Sequence, residues 1–143
     1  MKDKKYTILV VDDSEIFRNH TAKSIRDNFG YYTLLAADAT EAMRLLGNHE
    51  VDMILMDIVM PGVDGIKAAR IIRTKKKNAE TPIIFVTSMV PTQDDLETSY
   101  KAGGIDYLVK PYKDYELIRM ISLYVRFIER EKEINRVLKE NEA

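Results

Sequence analysis

Ile54-Leu-Met-Asp-Ile-Val-Met-Pro-Gly62, continued by Val63-Asp-Gly65, is the stretch that decides the fold. Met53 to Met56 is an unbroken apolar run, too short and too apolar for an exposed helix, and Pro61-Gly62 and Asp64-Gly65 then force a turn. This is the pattern of a fully buried strand with Asp57 at its carboxyl end. In open parallel sheets ligands bind along that edge, which makes Asp57 a candidate for chemistry. A plainer reading, that Asp57 caps the turn behind it, fits the same pattern, and only the rest of the chain separates the two.

On the amino-terminal side, Ile8 to Val11 is a short β-branched strand that stops at Asp12-Asp13. Ser14 can cap a helix with Phe17, Thr21, Ile25 and Phe29 on its inward stripe, and Gly30 can end it. Tyr32 to Ala37 reads as a second strand. Asp38 and Glu41 have the spacing of a capping box for a helix burying Ala42, Leu45 and Leu46. Beyond the central strand, Ile66 to Lys77 is expected to be helical, its terminal Lys75-Lys76-Lys77 suiting the negative end of the macrodipole. Pro82 opens a fourth strand, Ile83 to Val86, which ends at Thr87-Ser88. Thr92 to Asp95 has cap spacing for a fourth helix with few apolar anchors, expected to be the loosest. Gly103-Gly104 breaks it, Tyr107 to Val109 forms a fifth strand, and from about Asp114 the chain is helical to its end. Strands that each lead into a helix imply an α/β fold, a parallel sheet covered on both faces.

A chain of 143 residues with 45% apolar content can bury one domain core. The absence of cysteine excludes disulfides and thiolate metal sites. A net charge of −1 gives no overall pull towards nucleic acid or an anionic membrane, so no direct nucleic-acid contact is expected. The basic start, Met1 to Lys5, is followed by too short an apolar run for a signal peptide or a span, so a cytoplasmic location is expected.

Asp12, Asp13, Asp57, Thr87 and Lys110 come from four strands, yet each lies at or just past a carboxyl end, and in a parallel sheet these ends share one edge. Carboxylates about 5 Å apart in a medium of dielectric near 20 repel by roughly 3 kcal/mol a pair. A hard divalent cation relieves this, and all-oxygen donors suit Mg²⁺ better than Zn²⁺. His20 and His49 fall away from this edge and read as surface residues.

Val11-Asp-Asp13, Met56-Asp-Ile-Val-Met-Pro-Gly-Val-Asp-Gly65, Val86-Thr-Ser88 and Leu108-Val-Lys-Pro111 together resemble the receiver domain of two-component response regulators, from about Tyr6 to about Arg126. The resemblance implies a flavodoxin-like, doubly wound five-stranded sheet in the order 2-1-3-4-5 with five helices, the last one extended. It implies a phospho-acceptor switch rather than an enzyme acting on a separate substrate, taking a phosphoryl group from a histidine kinase or phosphotransfer protein. Asp57 is similar to the acceptor, which as a carboxylate needs no base to attack phosphorus. Asp13 and Asp57 would ligate Mg²⁺, with Asp12 through water and the backbone carbonyl of Val59. Lys110 and the Thr87 hydroxyl would contact phosphoryl oxygens, and Lys110-Pro111 resembles a bond that is cis in this family.

Tyr107 matches the family's switch aromatic, expected to rotate inward as Thr87 moves towards the phosphoryl group, changing the face of the fourth helix, fifth strand and fifth helix. Val59 and Met89 flank the point where water must attack, and neither can orient it, so slow self-dephosphorylation is expected. Two other classes stay open. A phosphatase of the haloacid-dehalogenase type would carry a second Asp where Val59 stands, and a phosphate-independent interaction module would have no need of the acids, Thr87 and Lys110.

The expected division is a receiver domain over residues 1–126 and a helical extension over 127–143. Met120, Tyr124, Phe127, Ile134 and Leu138 fit heptad spacing, with Glu131 and Asn141 spoiling two positions. The extension is a solvated tail, a helix that pairs with its mate in a homodimer, or a linker to an output domain.

Overall fold

The computed structural model describes residues 5–142, so the basic start read at Met1 to Lys5 lies, apart from Lys5, outside the described residues. Five parallel strands, β1 (Thr7–Val11), β2 (Tyr32–Ala36), β3 (Met53–Asp57), β4 (Ile83–Thr87) and β5 (Gly104–Val109), pair in the order β2-β1-β3-β4-β5. Five helices alternate with them: α1 (Glu15–Phe29), α2 (Ala39–Asn48), α3 (Gly65–Thr74), α4 (Gln93–Lys101) and α5 (Asp114–Glu142). This is the doubly wound α/β fold expected from the sequence.

The chain divides into two compact units, Met1–Pro111 and Tyr112–Ala143. In the first, β3 and β4 are buried along their whole length. Strand alternation splits their side chains between the two faces. Leu9, Val11, Ile54, Met56, Ile83 and Phe85 join Ala42 and Leu46 of α2 and Ala68, Ala69 and Ile72 of α3 in one cluster. Ile8, Val10, Met53, Leu55 and Ile84 point the other way and are also buried. At roughly 1.5–3 kcal/mol for each fully buried aliphatic side chain, the four apolar residues of β3 outweigh the repulsion of any one carboxylate pair at its end.

Most local signals act as their chemistry requires. The Ser14 side chain accepts the Phe17 N–H at the start of α1, and Gly30, at φ 70°, closes it. Asp38 accepts the Glu41 N–H, but Glu41 returns its bond to the N–H of Ala37, one residue ahead of the cap. Thr92 and Asp95 form a complete capping box on α4, whose single buried residue is Ser99. In the second unit α5 is one continuous helix on which Leu117, Ile121, Val125 and Ile128 are buried.

Two boundaries differ from expectation by three residues. α3 ends at Thr74 rather than Lys77, because Lys75 turns extended and Asn78 then adopts a left-handed conformation, φ 67°. The Asn78 side chain donates to the carbonyls of Leu46 and His49 and accepts from the Val51 N–H, which holds this turn and leaves the lysines beyond the helix. β5 starts at Gly104, three residues early. A Cβ there would stand 2.2 Å from the Phe85 ring, so only glycine lets β5 lie alongside β4 at this point. Among the described residues no helix is long and apolar enough to cross a membrane.

Candidate functional site

Register sets the site. Val11 pairs with Met56, Asp57 with Val86, and Thr87 with Val109, so the carboxyl ends of four strands finish at nearly one level. Residues 12, 57, 87 and 110 stand there together. The main-chain carbonyl of Thr87 accepts the Lys110 N–H at 2.7 Å, tying the ends of β4 and β5, and the Lys110-Pro111 peptide is cis.

Asp12, Asp13 and Asp57 each offer a carboxylate oxygen within 4.8 Å of the others. Asp12 and Asp57 are buried and Asp13 is exposed. Asp12 is fixed on both sides: its Oδ1 accepts the Ser14 N–H at 2.9 Å and its main-chain carbonyl accepts Arg18 Nη1 at 2.7 Å. The Lys110 ammonium lies 2.8 Å from Asp12 Oδ2 and 3.3 Å from Asp57 Oδ2, over the face of Phe17 at 4.4 Å from the ring centroid. One cation thus serves two acids, with an aromatic face adding weak support.

Burial pushes the Asp57 carboxyl up from its ordinary 3.8 to about 6; Lys110 opposes the rise, while Asp12 and Asp13 add to it. Burial pulls the Lys110 ammonium down, but its hydrogen bond to Asp12 and the charges of Asp12 and Asp57 more than offset this, and the net direction is up. Three clustered hard oxygen donors, one of them an acid that resists ionising, fit a divalent cation of the Mg²⁺ type.

Thr87 is buried, and its hydroxyl oxygen accepts the Met89 N–H at 3.3 Å, which leaves its own proton free to donate. A cavity of about 250 Å³ opens beside it, bounded by Ile58, Ile66, Thr98 and Tyr107 among others. Tyr107 is half-buried, its hydroxyl donating to the Asp95 carbonyl at 3.4 Å and its ring 6.0 Å from that of Phe85. Val59 and Met89 are 71% and 72% exposed and line the same cavity. His20 and His49 are exposed.

Three contributors to the site have roles with no local signal. Phe17, assigned only to the inward stripe of α1, is the ring beneath Lys110. Arg18 carried no signal in the sequence for its bond to the Asp12 carbonyl. Gly65 was legible as a turn residue, but its role is closer: a Cβ would fall 2.2 Å from the Asp57 carbonyl oxygen, and the Gly65 N–H donates to Ile58 at 2.8 Å. Glycine therefore allows α3 to begin directly against the end of β3.

A family profile described as the response regulator receiver domain matches residues 8–122. Protein PetR of Rhodobacter capsulatus is 37% identical over 119 residues, 83% of this chain and 48% of that protein. The Regulator of RpoS of Escherichia coli is 34% identical over 112 residues, 78% of this chain and 32% of that protein. The chain thus spans a third to a half of the length of these relatives. Among solved structures, the receiver domain of sensor histidine kinase PA1611 from Pseudomonas aeruginosa, which has a magnesium ion coordinated in its active site cleft, is 34% identical with a TM-score of 0.76, covering 85% of this chain and 98% of that one. The chemotaxis protein CheY4 of Vibrio cholerae is 26% identical with a TM-score of 0.79, covering 83% and 98%.

Proposed function

This chain belongs to the response regulator receiver domain family, and from that premise we propose that it is a phospho-acceptor switch in which Asp57 receives a phosphoryl group from the phosphohistidine of a histidine kinase or phosphotransfer protein. The observation that carries the reading is the Lys110 ammonium 3.3 Å from Asp57, in the mouth where Asp12 and Asp13 also converge.

Each side chain then has a task. An Asp57 carboxylate oxygen attacks phosphorus as the phosphorus–nitrogen bond to the donor imidazole breaks, its electron pair leaving with the nitrogen. Lys110 holds one phosphoryl oxygen and the Thr87 hydroxyl donates to another. Asp12, Asp13, Asp57 and the main-chain carbonyl of Val59 would hold Mg²⁺, which when bound offsets charge on the carboxylates and on the phosphoryl group in transfer.

Phosphorylation adds nearly two negative charges and three acceptor oxygens at Asp57. Thr87 moves towards them, and the cavity it shares with Tyr107 gives the ring somewhere to go. The surface of α4 and β5 changes as a result. With Ser99 as the one buried residue of α4, this surface is lightly anchored and easily biased between two states. The altered surface is what a partner or a covalently attached output domain reads.

The test is binding of beryllofluoride with Mg²⁺, a phosphoryl mimic, followed by ¹H–¹⁵N NMR. Shifts centred on Asp57, Thr87 and Tyr107 that vanish in Asp57→Asn support the reading. An unchanged spectrum in the wild type contradicts it and favours a phosphate-independent interaction module.

A further inference from the structure

The second half of α5 carries an apolar seam for which phosphoryl acceptance has no use. Every residue from Glu129 to Glu142 is exposed, Ile134 at 56% and Leu138 at 55%, and Phe127 just before them at 52%. With Glu131 and Asn141, these three keep the alternating spacing of three and four residues that defines a coiled-coil seam. At 3.6 residues per turn the seam lies roughly 100° around the helix from the buried stripe of Leu117, Ile121, Val125 and Ile128. It also lies nearly opposite the ion pairs by which Arg136 joins Glu133 to Glu140. One side of the helix is built for water and the other for a neighbouring helix.

We infer that this neighbour is α5 of a second copy of the chain, paired parallel and in register. The charges select that arrangement. Glu131 sits within the seam and Arg130 flanks it, and neither forms an ion pair with another described residue. In a parallel, in-register pair, Arg130 of each helix runs beside Glu131 of the other, so the two buried acids are answered twice by the same contact. Asn141 meets its own copy, and a single amide in a seam favours that register. A hollow of about 250 Å³ walled by Leu123, Tyr124, Arg126, Phe127 and Arg130 opens at the head of the seam and gives the second helix a seat. Glu131 keeps the pair weak, so dimer and monomer exchange with concentration.

The chain has no cysteine, so single cysteine substitutions in the full chain report the geometry directly. Ile134→Cys and Leu138→Cys each oxidise to a symmetric disulfide dimer, whereas Arg136→Cys, on the outer face, does not. Linkage at both seam positions requires the parallel register, since an antiparallel pair brings at most one of them to its own copy. In sedimentation equilibrium, Glu131→Leu tightens the dimer by at least about tenfold and Ile134→Glu weakens it by about as much. Linkage at Arg136→Cys as fast as at Ile134→Cys overturns the proposal, as does a Glu131→Leu chain that stays monomeric. None of these readouts involves Asp57, so the proposal stands or falls apart from phosphoryl transfer.

Discussion

Lys110 reaches across the mouth of the sheet to Asp57, Nζ to Oδ2 at 3.3 Å, while the same nitrogen holds Asp12 at 2.8 Å. The lysine therefore lowers the cost of keeping two buried acids side by side. Lys110→Ala removes the one influence that holds the Asp57 carboxyl down. Its titration midpoint, followed by NMR in metal-free protein, moves upward from about 6. Phosphorylation by a small-molecule donor slows by at least about tenfold. An unmoved midpoint contradicts this role.

Asp57 also makes stability depend on pH. A carboxyl raised from 3.8 to about 6 binds its proton more tightly in the folded chain than in the unfolded one. The folded state is thus favoured while Asp57 is protonated, and it loses that advantage as pH rises from about 4 to about 6, remaining penalised above. The shift corresponds to roughly 3 kcal/mol at most. In chelator, Asp57→Asn stabilises the protein by roughly 1–3 kcal/mol at about pH 8 and by little at about pH 4. Urea unfolding of both proteins at both pH values is the check, and an equal difference at the two would refute it.

Gly65→Ala places a methyl group on the Asp57 carbonyl oxygen, a backbone atom that cannot swing aside. The expected loss is about 2 kcal/mol or more in denaturant midpoint, together with slower phosphorylation because the end of β3 is displaced. A variant of unchanged stability would show that the approach of α3 to β3 is looser than described.

Tryptophan is absent from the chain, so Tyr107→Trp installs a lone reporter beside the cavity shared with Thr87. Its emission shifts to the blue on adding beryllofluoride and Mg²⁺, as the ring turns into the cavity. Adding Thr87→Ala abolishes the shift without abolishing binding. A shift that survives Thr87→Ala removes Thr87 from the coupling.

Val59 and Met89, which flank the site, are apolar, and neither can hold an attacking water near Asp57. The phosphorylated protein decays slowly, and Val59→Asn speeds the decay by about tenfold. Phosphate release within seconds from the wild type contradicts this account.

The alternation of strands and helices and the convergence of Asp12, Asp13, Asp57, Thr87 and Lys110 were legible because each depends on short-range signals: apolar runs, caps, and turns at strand ends. The order of the strands in the sheet followed only from the resemblance to the receiver family. The early end of α3 was not, since Asn78 is held by three partners far away in the chain. Phe17 and Gly65 were legible only in part. Their positions on a helix and in a turn could be read, but a ring beneath Lys110 and a backbone approach to Asp57 are tertiary relationships with no local trace. Gly104 illustrates the same limit: it looked like a helix breaker, and its task is to make room for Phe85.

Acceptance of a phosphoryl group by Asp57 with the help of a divalent ion is read from intact mass after incubation with acetyl phosphate and Mg²⁺, beside Asp57→Asn and a chelator control. The expected result is the gain of one phosphoryl group that requires both Asp57 and Mg²⁺. A gain of the same mass in Asp57→Asn, or an undiminished gain in chelator, would contradict it.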